Sequence, residues 1–149
     1  MTASFLLHDV YAVKRGDFVM VRAAAGGGGQ ILSRWAKALG AIVIGSVSIS
    51  AKVDAAKRSG CDHVIVSERE DFADGVLRLT SGRAAQVVCD AIGKVTFQGS
   101  LRALAPRGCR VSFCQASSDV GAYSIGQLAS GSIRLTRPNY GHFTDTAES

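Results

Sequence analysis

The stretch FVMVRAAAGGGGQILSRWAKALGA, residues 18–41, sets four consecutive glycines between an apolar run and a helical pattern. Glycine inside a helix costs about 1 kcal/mol relative to alanine. Four of them at the mouth of one therefore demand a reason. Either the run is a flexible linker, or its backbone must come closer to something than a side chain would permit. Phe18 to Arg22 before it is short, apolar and β-prone. Gln30 to Leu39 after it carries Ile31, Leu32, Trp35, Ala38 and Leu39 at helical spacing, and Gly40 closes the pattern.

The same alternation runs on. Ala41 to Val47 reads as a buried strand, and Ser50 begins SAKVDAAKR, a helix capped by that serine and ended at Ser59-Gly60. HVIV at 63–66 is a third strand, residues 71–80 a third helix, QVVCDAI at 86–92 a fourth strand, and 95–104 a fourth helix. Pro106-Arg107-Gly108 then turns into a fifth strand, CRVSFC at 109–114. A weaker helix near 124–129 precedes a sixth strand, SIRLTRP at 132–138. Strands rich in Val and Ile, apolar on both faces and each followed by a helix, predict a parallel sheet covered on both sides. Right-handed crossovers make that an α/β fold, a Rossmann-type doubly wound parallel six-stranded sheet in three layers. No repeat interrupts it, so residues 1–149 read as one domain.

The totals narrow the function. A hydrophobic share of 47% against 19% charged residues suits a globular chain with a real core. The apolar stretches are strand-length, so no membrane span is expected, and the N-terminus lacks the basic start and long apolar region of an export signal. Cys61, Cys89, Cys109 and Cys114 form no C-x-x-C pair, and the 3 histidines have no ligand spacing. These counts point away from zinc and toward buried free thiols in a cytoplasmic protein. Net charge is +5, but the basic residues are scattered, unlike a nucleic-acid stripe. One local asymmetry stands out: between Asp17 and Asp54 there is no acid, while Arg22, Arg34, Lys37 and Lys52 all fall inside. That segment tolerates an anion.

In doubly wound folds the first strand-to-helix turn receives a dinucleotide's pyrophosphate, because the helix start offers unpaired N–H groups and the positive end of its dipole. Read from Ala24, AAGGGG matches the glycine fingerprint with alanine in its first place and Gly26 and Gly29 in the other two. Gly26 lets backbone reach phosphate, and Gly29 lets helix and strand pack closely. A lone fingerprint is weak, but here it follows the first strand and opens a helix. About 20 residues on, an NAD site carries an acid for the ribose hydroxyls. This chain has GSVSISAK instead: Ser46, Ser48 and Ser50 are neutral donors, and Lys52 is a cation. Hydroxyls and a lysine welcome a 2′-phosphate, so NADPH is expected over NADH.

With those residues in place, the sequence resembles the zinc-independent quinone oxidoreductases, the zeta-crystallin-like branch of the medium-chain dehydrogenase/reductase superfamily. The matching stretches are TASFLLHDVYAVKRGD, AAAGGGG, WAKALGA, IGSVSISAK, GCDHVIV, VVCDAIGKVTFQGSLRAL, PRGCRVSF and GSIRLTRP, in family order over nearly the whole chain. The resemblance implies the nucleotide-binding domain only, with residues 1–17 leading in from a GroES-like substrate domain and 139–149 leading out. It implies NADPH as cofactor, with Ala25, Gly26, Gly27 and Gly28 at the pyrophosphate and Ser48 and Lys52 at the 2′-phosphate. Gly93, after the fourth strand, and Phe113 and Gln115, after the fifth, approach the ribose and nicotinamide. Hydride passes from NADPH to a quinone or activated alkene in the cleft between domains, so the chain alone is expected to be inactive. The resemblance also implies that two such chains pair as a homodimer through the sixth strand. An enoyl-reductase module of a polyketide or fatty-acid synthase shares this core, and a non-catalytic nucleotide-binding module is the reading from another class.

No nucleophile or acid–base pair is nominated; in this chemistry the protein chiefly orients cofactor and acceptor. Asp90, at a strand end, reads as structural or ribose-side rather than catalytic. Three positions depart from the family pattern. Gly28 stands in place of valine, Ser67 in place of a tyrosine near the adenine and 2′-phosphate, and Cys114 in place of a glycine beside the nicotinamide. Gly28 is the one glycine of the run that close approach does not require. Gly28→Val is therefore expected to raise the melting temperature without weakening NADPH binding, and a thermal melt with no gain would show that the loop uses its extra glycine.

Overall fold

The computed structural model describes residues 13–22, 24, 27–90, 97–112 and 125–136. The elements in order are β1 (Phe18–Val21), α1 (Gly27–Ala38), β2 (Ile42–Val47), a 3₁₀ turn (Ser50–Lys52), α2 (Val53–Arg58), β3 (His63–Val66), α3 (Phe72–Leu79), β4 (Ala85–Asp90), α4 (Phe97–Arg102), β5 (Leu104–Ser112), a second 3₁₀ turn (Ile125–Ser130) and β6 (Arg134–Thr136). The six strands form one sheet in the order β3-β2-β1-β4-β5-β6, every pair parallel. That order is the doubly wound one, with its reversal point between β1 and β4, where such folds open a ligand crevice.

Strand alternation explains the layers. Val19 and Val21 point to one face and join Leu32 and Ala36 of α1, Ala56 of α2, Val43, Val87 and Val111. Phe18 and Met20 point to the other and meet Ile44, Ile65, Val88 and Phe72, Ala73 and Val76 of α3. All four β1 residues are buried, so a strand covered on both faces reads as one continuous apolar run. Asp71 starts α3 as a side-chain cap: its Oδ1 accepts from the N–H groups of Ala73 at 2.9 Å and Asp74 at 3.2 Å.

Three sequence expectations are corrected. The first helix begins at Gly27 rather than Gln30, so Gly27, Gly28 and Gly29 make its first turn. Ser50 does not cap the next helix: a 3₁₀ turn precedes α2, neither start has a side-chain cap, and the Ser50 hydroxyl is buried without a partner. Leu104 belongs to β5, not to the helix before it. Ala103 closes α4 through N–H bonds to Gly99 and Ser100, and its carbonyl accepts from Ala85 as the sheet resumes. Leu104 then pairs with Ala85, and the register jumps so that Cys109 pairs with Val87. The excursion holds Arg107 at φ 66° and brings Gly108 so close to Ala105 that a Cβ would lie 2.8 Å from its carbonyl oxygen. The turn read at Pro106-Arg107-Gly108 is thus a bulge inside a strand.

Close approach governs the joint of β1, β2 and the glycine-run helix. Ala24 donates its N–H to the Ser46 carbonyl at 2.9 Å. A Cβ on Gly45 would lie 2.7 Å from the Ala24 Cβ and 2.6 Å from the Cys61 Sγ. Gly45→Ala is therefore expected to cost about 2 kcal/mol by overpacking, read as a melting temperature about 4–8 °C lower; an unchanged melt would mean that this joint has slack.

Candidate functional site

The carboxyl ends of β1, β2 and β3 and the start of α1 come together at one rim of the sheet. α1 begins inside the glycine run, so the N–H groups of its first turn have no intrahelical partners. No acidic residue lies in that turn. Gly29 is buried, and its carbonyl accepts from the Ser33 hydroxyl at 2.8 Å, a bond within α1 that ties its first turn to its second. Cys61 Sγ in turn donates to the Ser33 Oγ at 3.4 Å.

At the end of β2 the chain leaves the buried Val47 for the exposed Ser48 and then enters the 3₁₀ turn that carries Lys52. Lys52 Nζ donates to Ser48 Oγ at 3.4 Å, and both side chains are exposed. Val66 is the register partner of Val47, and the next residue, Ser67, donates its N–H to the Val47 carbonyl at 2.9 Å. Ser48, Lys52 and Ser67 are thus brought to one place. Gly27 and Gly28 open α1 at the adjoining strand end. Ala25, Gly26, Gly93, Phe113 and Gln115, like Cys114, lie outside the described residues.

Two side chains shape this rim: Arg22, which the sequence marks only as one cation of the acid-free segment, and Glu68, which the sequence pattern does not single out. Arg22 ends the β1 run and, by alternation, falls on the Phe18 and Met20 face. Its Nη1 donates to the Ser46 Oγ at 2.9 Å, and its guanidinium lies 3.6 Å from the centre of the Phe72 ring. Burial lowers its pKa to about 10, against the opposing charges of Asp90 and Asp71. It remains a cation at neutral pH, held by a hydroxyl and an aromatic face. Ser46 is therefore buried, its hydroxyl accepting from Arg22, and it does not face the exposed rim as Ser48 does. Ser50 offers its N–H to the second of these side chains: the Glu68 Oε1 accepts it at 3.4 Å. Glu68 reaches the anion-tolerant segment from the loop after β3, one residue beyond Ser67.

Asp90 is fully buried, and its Oδ2 accepts from Arg110 Nη2 and from Ser100 Oγ, each at 2.8 Å. The carboxylate ties β4, β5 and α4 together, in keeping with a structural part. The described thiols are free and buried. Burial, with Cys109 and Asp90 nearby, pushes Cys89 up to about 12, so it is no nucleophile at neutral pH. Among the described residues no group of three His, Cys, Asp or Glu side chains could hold a metal ion.

Comparison with known proteins agrees with this geometry. The family profile described as zinc-binding dehydrogenase matches residues 27–148. The chain is 43% identical over 145 residues to a 2-haloacrylate reductase of a Burkholderia species, covering 96% of this chain and 44% of that protein. It is 41% identical over 149 residues to a quinone oxidoreductase of Pseudomonas aeruginosa, covering 99% and 46%. The crystal structure of Escherichia coli quinone oxidoreductase complexed with NADPH superposes with a TM-score of 0.91 at 37% identity, covering 95% of this chain and 44% of that one. The chain spans less than half the length of these relatives. It belongs to the zinc-binding dehydrogenase family of the medium-chain dehydrogenase/reductase superfamily.

Proposed function

We infer that this chain binds NADPH and forms the cofactor half of a reductase that acts on a quinone or an activated alkene. The observation that carries the reading is the Ser48–Lys52 pair, 3.4 Å apart at the end of β2, beside a helix that starts inside a glycine run. The residues fit the group. The first turn of α1 offers backbone N–H groups to a pyrophosphate, with Ala25, Gly26, Gly27 and Gly28 as its cradle. Ser48 and Lys52 meet the 2′-phosphate with a hydroxyl and an ammonium, and Ser67 borders them. Gly93, Phe113 and Gln115 follow β4 and β5 and complete the nicotinamide side. When bound, the cofactor supplies a hydride to an electron-poor acceptor. The chain's own part is to hold and orient it. In this reading a substrate domain of GroES-like form precedes residues 1–17, 139–149 lead out, and the acceptor is selected outside the chain. Relatives more than twice its length that are quinone oxidoreductases and a 2-haloacrylate reductase support that division.

The same reading makes the chain cytoplasmic, as the free, buried thiols of the described residues Cys61, Cys89 and Cys109 suit a reducing compartment. None of the described helices is long and apolar enough to cross a membrane. It also makes β6 a dimer seam. β6 is the last strand of the sheet, and Leu135 on it is exposed. An edge strand of a parallel sheet invites pairing with a second copy.

Fluorescence titration tests the cofactor. NADPH is expected to bind more tightly than NADH, and Lys52→Ala to weaken NADPH about tenfold, the size of one charge-assisted hydrogen bond, while leaving NADH unchanged. Equal losses for both cofactors would remove the 2′-phosphate assignment. For the seam, sedimentation of the chain is expected to show a dimer that Leu135→Arg converts to monomer; a monomeric parent chain would rule the β6 interface out.

A further inference from the structure

The acid absent from the end of β2 is supplied through space. Glu68 lies on the loop after β3, and its Oε1 accepts the Ser50 N–H at 3.4 Å, within the segment that holds Ser48 and Lys52. In a doubly wound fold an acid at this rim accepts hydrogen bonds from the adenosine ribose hydroxyls, and its charge repels a 2′-phosphate. Usually the second strand carries it. Here the parallel register of β2 with β3, Val47 opposite Val66, delivers one from the neighbouring strand.

We propose that Glu68 sets the cofactor preference of this chain by opposing the Ser48–Lys52 pair, narrowing its discrimination between NADPH and NADH. The proposal rests on the assignment of the 2′-phosphate to Ser48 and Lys52. Three groups act on one position. Lys52 and Ser48 favour a phosphate there; Glu68 disfavours it and favours a hydroxyl. Glu70, two residues on, does not share the role, because its carboxylate pairs with Arg78 Nη2 at 2.9 Å. Glu68 is exposed, so its effect is a screened one across water. A carboxylate a few ångströms from a phosphate in that setting changes affinity by about three- to tenfold.

Glu68→Gln keeps the shape and removes the charge. In titrations of the chain with NADPH and with NADH, it is expected to tighten NADPH binding about three- to tenfold without tightening NADH. The gain is expected to shrink as salt rises from about 0.1 M to about 1 M, as the screening length falls. Glu70→Gln is expected to leave the NADPH-to-NADH ratio where it was. If the parent chain binds NADPH through Lys52 but Glu68→Gln moves both cofactors alike or neither, the proposal is overturned and the cofactor assignment stands. If Lys52→Ala leaves NADPH binding unchanged in the parent chain, the assignment itself fails, and this proposal with it.

Discussion

The Ala24 N–H reaches the Ser46 carbonyl at 2.9 Å because Gly45, beside it on β2, has no side chain. That contact brings Ala24, between β1 and α1, down onto the second strand. It fixes where the glycine-run helix begins relative to the end of β2, and so how far apart two features of the rim stand: the first turn of α1 and the Ser48–Lys52 pair. Cys61 fills the space that a Gly45 side chain would occupy, and its hydrogen bond to Ser33 links the same joint to α1. Close packing leaves such a joint little freedom to adjust.

Charge is buried on one face of the sheet below the rim, the face of Phe18 and Met20. Arg22 is buried there with Ser46 and the Phe72 ring, and toward β5 Arg110 is buried with Asp90. Burying a cation is costly unless hydrogen bonds and an aromatic face replace water. Arg22 offsets part of that cost by joining the ends of β1 and β2 to the start of α3. Its Nε is buried without a hydrogen-bond partner. The exposed charges at the rim, Lys52 and Glu68, are of another kind: they are weaker, salt-sensitive and free to respond to a ligand.

Much of this is legible in the sequence because periodicity and packing agree. β1 to β4 are apolar on both faces, so their runs stand out, and the parallel doubly wound sheet follows from strands alternating with helices. Where local chemistry competes with tertiary context, the pattern misleads. Leu104 reads as helical by its neighbours, yet Ala85 takes it into the sheet before the bulge at Arg107. Ser50 has the chemistry of a cap, but a 3₁₀ turn places it differently. At the site, Ser48 and Lys52 are readable from spacing along one strand and turn. The buried engagement of Ser46 is not, since its partner Arg22 is 24 residues away, and Glu68 escapes notice because it lies on a different strand's loop. Its position next to Ser67 is the one signal the sequence offers.

The central claim is that a 2′-phosphorylated dinucleotide lies across the ends of β1 and β2. A crystal structure of the chain grown with NADPH measures this directly. The expected result is density for the pyrophosphate at the first turn of α1, with the 2′-phosphate within hydrogen-bonding distance of Ser48 Oγ and Lys52 Nζ. Density for the 2′-phosphate turned away from both residues, or for the dinucleotide at another edge of the sheet, would contradict it.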